Sequence, residues 1–267
     1  MIIRKSPEEI ARMARAGAVV AAAHEEVAAR LRPGMTTLEL DAIAEGVIRG
    51  HGAVPSFKGY RGFPATLCTS KNDQIVHGIP SDQVVLDEGS VISIDCGAIV
   101  EGFHGDSAVT LIVGGDDAVA PEVAQLVRDT RTALWRGLEQ VAAGNRLGDV
   151  GAAIEAVATA QGYGVVREYV GHGIGRALHE DPSVPNYGTA GRGSKLTPGW
   201  VIAVEPMFNL GTERTRTLED GWTVVTADGS ISAHWEHTIA ITEDGPVVLT
   251  ARSDEPSHLG GQPSPVG

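Results

Sequence analysis

Hydrophobic residues recur at helical spacing in four segments of the chain, and each segment is bounded by signals for helix ends. Ser6 and Glu9 form a capping box, which predicts an alanine-rich helix that runs to about Leu31. A second capping box, Thr36 with Glu39, precedes the stretch LELDAIAEGVIRGHG. The segments PEVAQLVRDTRTALWRGLEQVAA and LGDVGAAIEAVATAQ predict a third and a fourth helix, each stopped by a nearby glycine.

Short apolar runs after these helices predict strands. We expect two strands in residues 90–113, one at residues 200–205 and several in residues 222–249. The order helix, glycine, helix, glycine, HGI tripeptide and strands occurs twice, and Gly34 and Gly144 show the offset of 110 residues between the copies. Such a repeat is too long for a solenoid and predicts an α+β domain of two halves around a pseudo-twofold axis. The alternative is two unrelated α+β segments that match by chance.

Corresponding strands of the two halves, GSVISID and GWVIAVE, both end on a carboxylate. A hairpin that turns near residues 100–101 predicts Asp95 directly opposite Asp106, and the repeat then predicts that Glu205 faces Glu236. Taken alone, an acidic residue at a strand end is more typical of a turn or a cap. Four carboxylates that meet at the axis cannot all stay ionised without a cation, so the joint pattern predicts a pair of divalent metals.

Three histidines lie in glycine-rich stretches just before these acidic strands. They are His77 in VHGIP, and His172 and His179 in GHGIGRALHE. A lone histidine of this kind is more often a surface or packing residue, but the HGI tripeptide recurs in both halves. One imidazole could complete a metal shell while the others donate hydrogen bonds to a substrate, and spacing does not divide these roles.

Composition indicates which kinds of partner and which cellular compartment suit the protein. The net charge of −13 argues against nucleic acid, because phosphate binding needs a basic surface. Cys68 and Cys96, the only cysteines, predict neither a disulfide framework nor a thiolate zinc site. Without a signal peptide or an apolar run of membrane-spanning length, the chain is expected to be soluble and cytoplasmic. Residues 251–267, polar and rich in proline and glycine, are predicted to be a disordered tail.

The motifs VHGIP, IDCGAIVEGFHGDSAVT, GHGIGRALHEDPSVPNYG, VIAVEPMF and DGWTVVTADGSISAHWEHT resemble those of the type I methionine aminopeptidases, in the minimal bacterial form. The resemblance covers about residues 2–250. It implies the pita-bread α+β fold, an antiparallel sheet flanked by helices. Residues 1–250 would form one catalytic domain whose halves are about residues 1–115 and 116–250.

The resemblance also implies a division of roles within the site. Two divalent ions of cobalt, manganese, iron or zinc would hold a bridging water or hydroxide that attacks the carbonyl of an N-terminal methionine. Glu205 would shuttle the proton, His179 would stabilise the oxyanion, and His77 would contact the scissile amide. The implied metal ligands are Asp95, Asp106, His172, Glu205 and Glu236. The implied substrate contacts, beside His77 and His179, are Tyr60, Phe63, Cys68, Leu178 and Trp222, some of which could equally be core residues.

The implied substrates are the N-termini of nascent polypeptides with a small second residue. The chain is expected to be a monomer that contacts the ribosome transiently. No function at a membrane or on nucleic acid is expected. Leu178, Trp235 and Asp73 depart from the residues usual in the family and bear on the shape of the pocket.

Two other functions stay open on the sequence. One is a proline-specific peptidase of the same fold, although those proteins usually carry an additional N-terminal domain and the helices here begin near the first residue. The other is a binding module that has lost its metal, although all five implied ligands are present.

Overall fold

Helices and strands alternate along residues 2–259, the part of the chain that this computed structural model describes. The helices are α1 (Pro7–Arg30), α2 (Thr37–Gly50), α3 (Pro121–Leu138) and α4 (Leu147–Gln161). The strands of the first half are β1 (Val54–Pro55), β2 (Leu67–Lys71), β3 (Gln74–Val76), β4 (Val91–Val100) and β5 (Phe103–Ile112). The later strands are β6 (Gly164–Val165), β7 (Gly171–Gly173), β8 (Glu180–Val184), β9 (Val201–Val204), β10 (Met207–Asn209), β11 (Thr215–Thr217), β12 (Val224–Thr226), β13 (Ser232–His234), β14 (His237–Thr242) and β15 (Gly245–Val248).

The two predicted capping boxes begin α1 and α2. The Glu9 amide donates to the Ser6 hydroxyl at 3.3 Å, and the Glu9 carboxylate accepts from the Ser6 amide at 3.1 Å. Thr36 and Glu39 repeat this exchange at α2. Helix α3 ends at Leu138, five residues before the predicted end, because the following residues turn away from the helix axis. That turn lets the Gly144 amide donate to the carbonyl oxygen of Leu196 at 3.0 Å.

The internal repeat is visible in the hydrogen bonds as well as in the order of elements. The bond from the Gly34 amide to the carbonyl of Leu86, 2.8 Å, is the counterpart of the Gly144 bond in the other half. The isolated bridge of Thr36 with Val85 likewise matches that of Arg146 with Lys195, again 110 residues on. Mixed helices and antiparallel strands in two equivalent halves are what the sequence predicted.

The predicted register of the β4–β5 hairpin is wrong. Val100 pairs with Phe103, so the turn is Glu101–Gly102, which both adopt positive φ, and not residues 100–101. Asp95 therefore pairs with Ala108, and Asp106 pairs with Gly97. Since this register differs from the predicted one by two residues, side chains keep their faces, and the two carboxylates are diagonal neighbours rather than directly opposite.

Hydrogen bonds between β5 and the β13–β14 segment join the halves. The Ser107 hydroxyl donates to the carbonyl of Glu236 at 2.6 Å, and the Glu236 amide donates to the carbonyl of Ala108 at 3.0 Å. The Thr238 hydroxyl donates to the carbonyl of Asp106 at 2.8 Å. Because these bonds involve Asp106 and Glu236 themselves, they fix one acidic residue of each half beside the other.

The segment after residue 250 does not follow the prediction of a disordered tail as far as it is described. Residues 251–259 pack on the domain, and His258 bridges to Val247. Glu255 has only 1% of its side chain exposed; it accepts hydrogen bonds from Arg131 and Arg252, and its carboxylate lies 3.2 Å from Nε2 of His237. This buried ion cluster holds a polar segment that composition alone assigns to solvent. Residues 260–267 of the predicted tail lie outside the described residues.

Candidate metal and substrate site

A cavity of about 380 Å³ opens where the two halves meet, and every site residue predicted from the sequence lines it. Carboxylates and histidines form one part of its wall, and apolar and aromatic side chains form the other. The predicted residues are Tyr60, Phe63, Cys68, His77, Asp95, Asp106, His172, Leu178, His179, Glu205, Trp222 and Glu236. Two further residues that the sequence did not indicate, Phe57 and Arg61, complete the lining.

Four acidic side chains gather around one imidazole at the floor of the cavity. Nε2 of His172 lies 3.5 Å from Oε1 of Glu205 and 3.9 Å from Oδ2 of Asp106. Ligand atoms of Asp106, His172 and Glu236 all lie within 4.8 Å of one another. Asp95, the diagonal neighbour of Asp106 across the β4–β5 ladder, extends the group on that side.

The acidic side chains are poorly solvated and close enough to repel one another. Burial raises the pKa of Asp95 to about 7. Burial, and then the neighbouring carboxylates, raise the pKa values of Asp106, Glu205 and Glu236 well above the ordinary range. Buried oxygens of Asp95, Asp106 and Glu236 have no hydrogen-bond partner. Buried carboxylate oxygens without hydrogen-bond partners, two of them beside the His172 imidazole, are the donor set that a hard or borderline divalent cation requires, so these residues fit a metal.

His172 presents a lone pair to this acidic group. Its Nδ1 lies 2.9 Å from the carbonyl oxygen of Gly173, which can only accept, so Nδ1 carries the proton. Burial lowers the pKa of His172 to about 3, which keeps the ring neutral. A neutral imidazole whose far nitrogen is fixed by a backbone carbonyl is the usual form of a metal-ligating histidine.

The other two predicted histidines flank the floor and point into the cavity. His179 stacks at a tilt on His172, with ring centroids 4.3 Å apart, and its Nδ1 lies 2.9 Å from the hydroxyl of Tyr60. His77 contacts Trp222 edge to face, at 6.3 Å between centroids. Burial lowers the pKa of His77 to about 4 and also lowers that of His179, so neither is charged at neutral pH.

The apolar wall is built from side chains that, on the sequence alone, could belong either to the substrate pocket or to the hydrophobic core. Phe63 packs edge to face on Trp222, with centroids 5.1 Å apart. Leu178 is buried immediately before His179. Cys68 pairs with Asp95 in the β2–β4 ladder, so the thiol adjoins the acidic floor. These residues line the cavity and also belong to a second hydrophobic cluster, separate from the main core.

A second, smaller recess of about 220 Å³ adjoins the floor and was not predicted. Its own walls include Tyr169, Met207 and His234, and it shares His77 and Glu205 with the main cavity. His234 is buried with Nε2 3.7 Å from Oε2 of Glu205. One signal for it existed in the sequence: His234 lies two residues before Glu236, which places both on the same face of an extended chain.

Two of the three residues that depart from the family pattern lie outside the cavity. Trp235 turns away from the floor, and the guanidinium groups of Arg131 and Arg252 each lie 5.4 Å from its ring. Asp73 uses its carbonyl to accept from the Thr226 amide in a neighbouring strand. Leu178 alone bears on the shape of the pocket.

The fold and the acidic floor define a metal-dependent peptidase. The model of metallopeptidase family M24 matches residues 11–243, and the chain belongs to this family, whose members use divalent metal. The resemblance to methionine aminopeptidases of the bacterial form is confirmed. The methionine aminopeptidase of Clostridium acetobutylicum is 49% identical over 250 residues, 94% of this chain and 99% of that protein. Methionine aminopeptidase 1 of Mycobacterium tuberculosis is 50% identical over 256 residues, which are 94% of this chain and 95% of that protein.

Solved structures agree with the predicted fold. The methionine aminopeptidase of Thermotoga maritima superposes with a TM-score of 0.91 at 44% identity, over 94% of this chain and all of that chain. The prolidase of Pyrococcus horikoshii superposes with a TM-score of 0.74 at 23% identity, over 96% of this chain and 65% of that chain. The prolidase shares the fold alone. Within residues 2–259, none of the helices has the length and apolar character needed to span a membrane.

Proposed function

We propose that this chain is a methionine aminopeptidase that removes the N-terminal methionine of nascent proteins and peptides and prefers a small second residue. One observation carries the proposal: an acidic floor fitted for metal opens directly into an apolar cavity of about 380 Å³, large enough for a methionine residue. Similarity to methionine aminopeptidases along nearly the whole chain supports the same reaction.

Asp95, Asp106, His172, Glu205 and Glu236 are proposed to hold two divalent ions. Four carboxylates with one imidazole suit manganese, iron, cobalt or zinc, and the unpaired carboxylate oxygens support more than one ion. When bound, such a pair supplies an activated water and polarises the scissile carbonyl.

The protein's own groups then orient the substrate and move the protons. Glu205 lies at the junction of the main cavity and the recess, where its carboxylate can accept a proton and return it to the leaving amine. The proposed tautomer of His179 is the one in which Nδ1 accepts from the Tyr60 hydroxyl, 2.9 Å away, so that Nε2 carries the proton. That N–H can donate to the developing oxyanion. His77, which lines both the cavity and the recess, is proposed to contact the scissile amide.

The two cavities correspond to the two residues on either side of the scissile bond. The larger one, lined by Cys68, Phe63 and Leu178, is proposed to take the methionine side chain. The smaller one, closed by Met207 and His234, is proposed to take the second residue. Its volume of about 220 Å³ is smaller than that of the main cavity, so a long side chain would have to displace the buried Met207 and His234.

The test is release of free methionine from Met-Ala-Ser and Met-Leu-Ser, with and without added divalent metal. We expect release from the alanine peptide, its loss with EDTA and its return with manganese or cobalt. Release of an N-terminal residue from Ala-Pro peptides alone would instead assign a proline-specific activity. Protein that binds no stoichiometric metal would fit a binding module.

Place and assembly are part of the same proposal. Acting on nascent chains, the enzyme would work in the cytoplasm, as a monomer that contacts the ribosome transiently. Sedimentation of the purified chain, alone and with ribosomes, tests the monomeric state and the ribosome contact. A stable dimer would contradict the first, and the absence of cosedimentation at any salt concentration would contradict the second.

A further inference from the structure

An ion pair is buried behind the loop that carries His179. Nζ of Lys5 donates to Oε2 of Glu180 at 2.6 Å, and the two side chains are 3% and 8% exposed. The partners are 175 residues apart in sequence, so the pair ties the segment before α1 to the start of β8. Within the part of the chain that is described, no other lysine ion pair is buried on both sides.

The segment that carries Lys5 is anchored without this pair. The Lys5 amide donates to the carbonyl of Gly199 at 2.7 Å, and the Arg4 side chain donates to the carbonyl of Pro198 at 2.9 Å. Burying two charges costs several kcal/mol of desolvation and commonly gives no net stability over an apolar pair. The pair therefore needs an explanation other than attachment of the N-terminal segment.

The Glu180 carboxylate also organises the loop that ends at His179. Its second oxygen, Oε1, accepts from the Ala177 amide at 3.2 Å. Gly175 leaves room for the pair, since a Cβ there would lie 2.6 Å from Cε of Lys5 and 2.7 Å from Oε1 of Glu180. The Glu180 carboxylate therefore stabilises the turn formed by residues 175–180 from its buried side. His179 directly precedes Glu180 in the chain.

We propose that Lys5 is a positioning residue for catalysis: through Glu180 it fixes the backbone of His179, so that the imidazole meets the oxyanion. The inference rests on the role given to His179 under Proposed function. Tyr60 holds the ring at Nδ1, and the buried pair holds the chain beneath it. An ammonium fits this role because its charge-assisted hydrogen bond to Oε2 of Glu180 leaves Oε1 oriented toward the Ala177 amide.

A double-mutant cycle between Lys5→Met and His179→Ala tests the proposal on Met-Ala-Ser with metal-loaded protein. Lys5→Met is expected to lower kcat by about tenfold or more with KM within about threefold, because a small displacement of a catalytic group is costly. In the His179→Ala background the same change should lower kcat by less than about twofold, since the group it positions is already gone. Equal losses in both backgrounds, or no loss in either, would overturn the proposal.

A matched control separates positioning from loss of stability. Ile154→Ala removes a fully buried side chain on α4, whose packing is against α3. It is expected to lower the unfolding midpoint without lowering kcat in either background. If Lys5→Met does not fold, Lys5→Met/Glu180→Met replaces it, because no unpaired charge is then buried.

A readout independent of turnover keeps this inference distinct from the proposed function. In ¹⁵N-histidine NMR spectra, Lys5→Met should shift the ring signal that disappears in His179→Ala, and leave that of His24 on α1 unchanged. An unshifted His179 signal would refute the positioning role even if the enzyme is active. Absence of methionine release by the wild-type chain would refute the proposed function whatever the spectra show.

Discussion

The metal-free protein is expected to lose stability as the pH rises from about 7 to about 8, and bound metal is expected to abolish that loss. The perturbation is removal of metal with EDTA. It leaves Asp106, Glu205 and Glu236 with pKa values raised well above the ordinary range by burial and by one another. In the unfolded chain such carboxyls ionise near pH 4.

The sign follows from counting protons. A carboxyl whose folded pKa is raised keeps a proton that the unfolded chain has already released, so higher pH favours unfolding. Each carboxyl that stays protonated in the fold contributes a slope of about −1.4 kcal/mol per pH unit. Because these neighbouring carboxyls titrate as a group, one retained proton sets the scale of the loss, about −1.4 kcal/mol per unit, and each further retained proton makes it steeper. Asp95, with its pKa raised to about 7, adds a part of one more at the start of this window.

Histidines act in the opposite direction within this window, but less strongly. Burial lowers the pKa values of seven of them, so that their rings are neutral in the fold: His24, His77, His104, His172, His179, His234 and His237. Because unfolded histidines are already mostly neutral above pH about 7, the seven together offset the loss by about 1 kcal/mol. Burial raises the pKa values of Cys68 and Cys96, but unfolded thiols ionise mainly above pH about 8.

Urea unfolding followed by tryptophan fluorescence measures the effect. The free energy of unfolding of EDTA-treated protein should fall between the two pH values, by on the order of 1 kcal/mol or more. With saturating manganese it should be nearly constant, because the cation holds the carboxylates ionised in the fold. Asp106→Asn/Glu236→Gln, which removes two of the titrating groups, should give metal-free protein with a shallower slope. A metal-free wild-type protein equally stable at both pH values would refute the reasoning.

Three further predictions concern single side chains. Asp106→Ala should lose bound metal and activity together, whereas His179→Ala should keep its metal and lose about 10²- to 10³-fold in kcat. Metal analysis and methionine release measure the two effects. Equal metal loss in both variants would mean that His179 is misassigned. Tyr60→Phe removes only the hydroxyl that contacts Nδ1 of His179 and should lower kcat by about tenfold with metal content unchanged. An unaltered rate would contradict the proposal that this contact fixes the tautomer of the ring. Gly17→Ala would drive a Cβ into the carbonyl oxygen of Leu249 and should cost about 1–3 kcal/mol in urea unfolding, whereas Gly46→Ala, on the open face of α2, should cost nothing.

Local signals in the sequence were sufficient for the starts of the helices, whereas the end of α3 was predicted five residues too late. Capping boxes at Ser6 and Thr36 mark helix starts because their partners are three residues away and need no tertiary context. The internal repeat located the acidic residues, since two copies of one pattern constrain each other, and the family resemblance supplied the pocket residues and the histidine roles. The repeat brought residues as distant as Asp95 and Glu236 to one cavity before any contact was known.

What the sequence missed depends on contacts that no local pattern records. The β4–β5 turn is displaced because the backbone of Glu101 and Gly102 accepts positive φ, which moves Asp106 opposite Gly97. Arg61 reaches the cavity from a short 3₁₀ turn at Tyr60–Gly62, a segment without periodicity. The segment after residue 250 is held by Glu255, whose cationic partners come from other parts of the chain.

The cost of placing carboxylates at the ends of buried strands explains why the pattern occurs twice. A single such residue could relieve its desolvation by keeping a proton or by turning toward solvent. Here the hydrogen bonds from Ser107 to the Glu236 backbone and from Thr238 to the Asp106 backbone hold the two strand segments together whatever the ionisation of their side chains. The acidic groups cannot separate without breaking that ladder, so without a cation they relieve their repulsion only by keeping protons, as their raised pKa values indicate. A site built in this way gains its metal affinity from the rigidity of the sheet junction, and the repeat supplies the junction with matching residues from both sides.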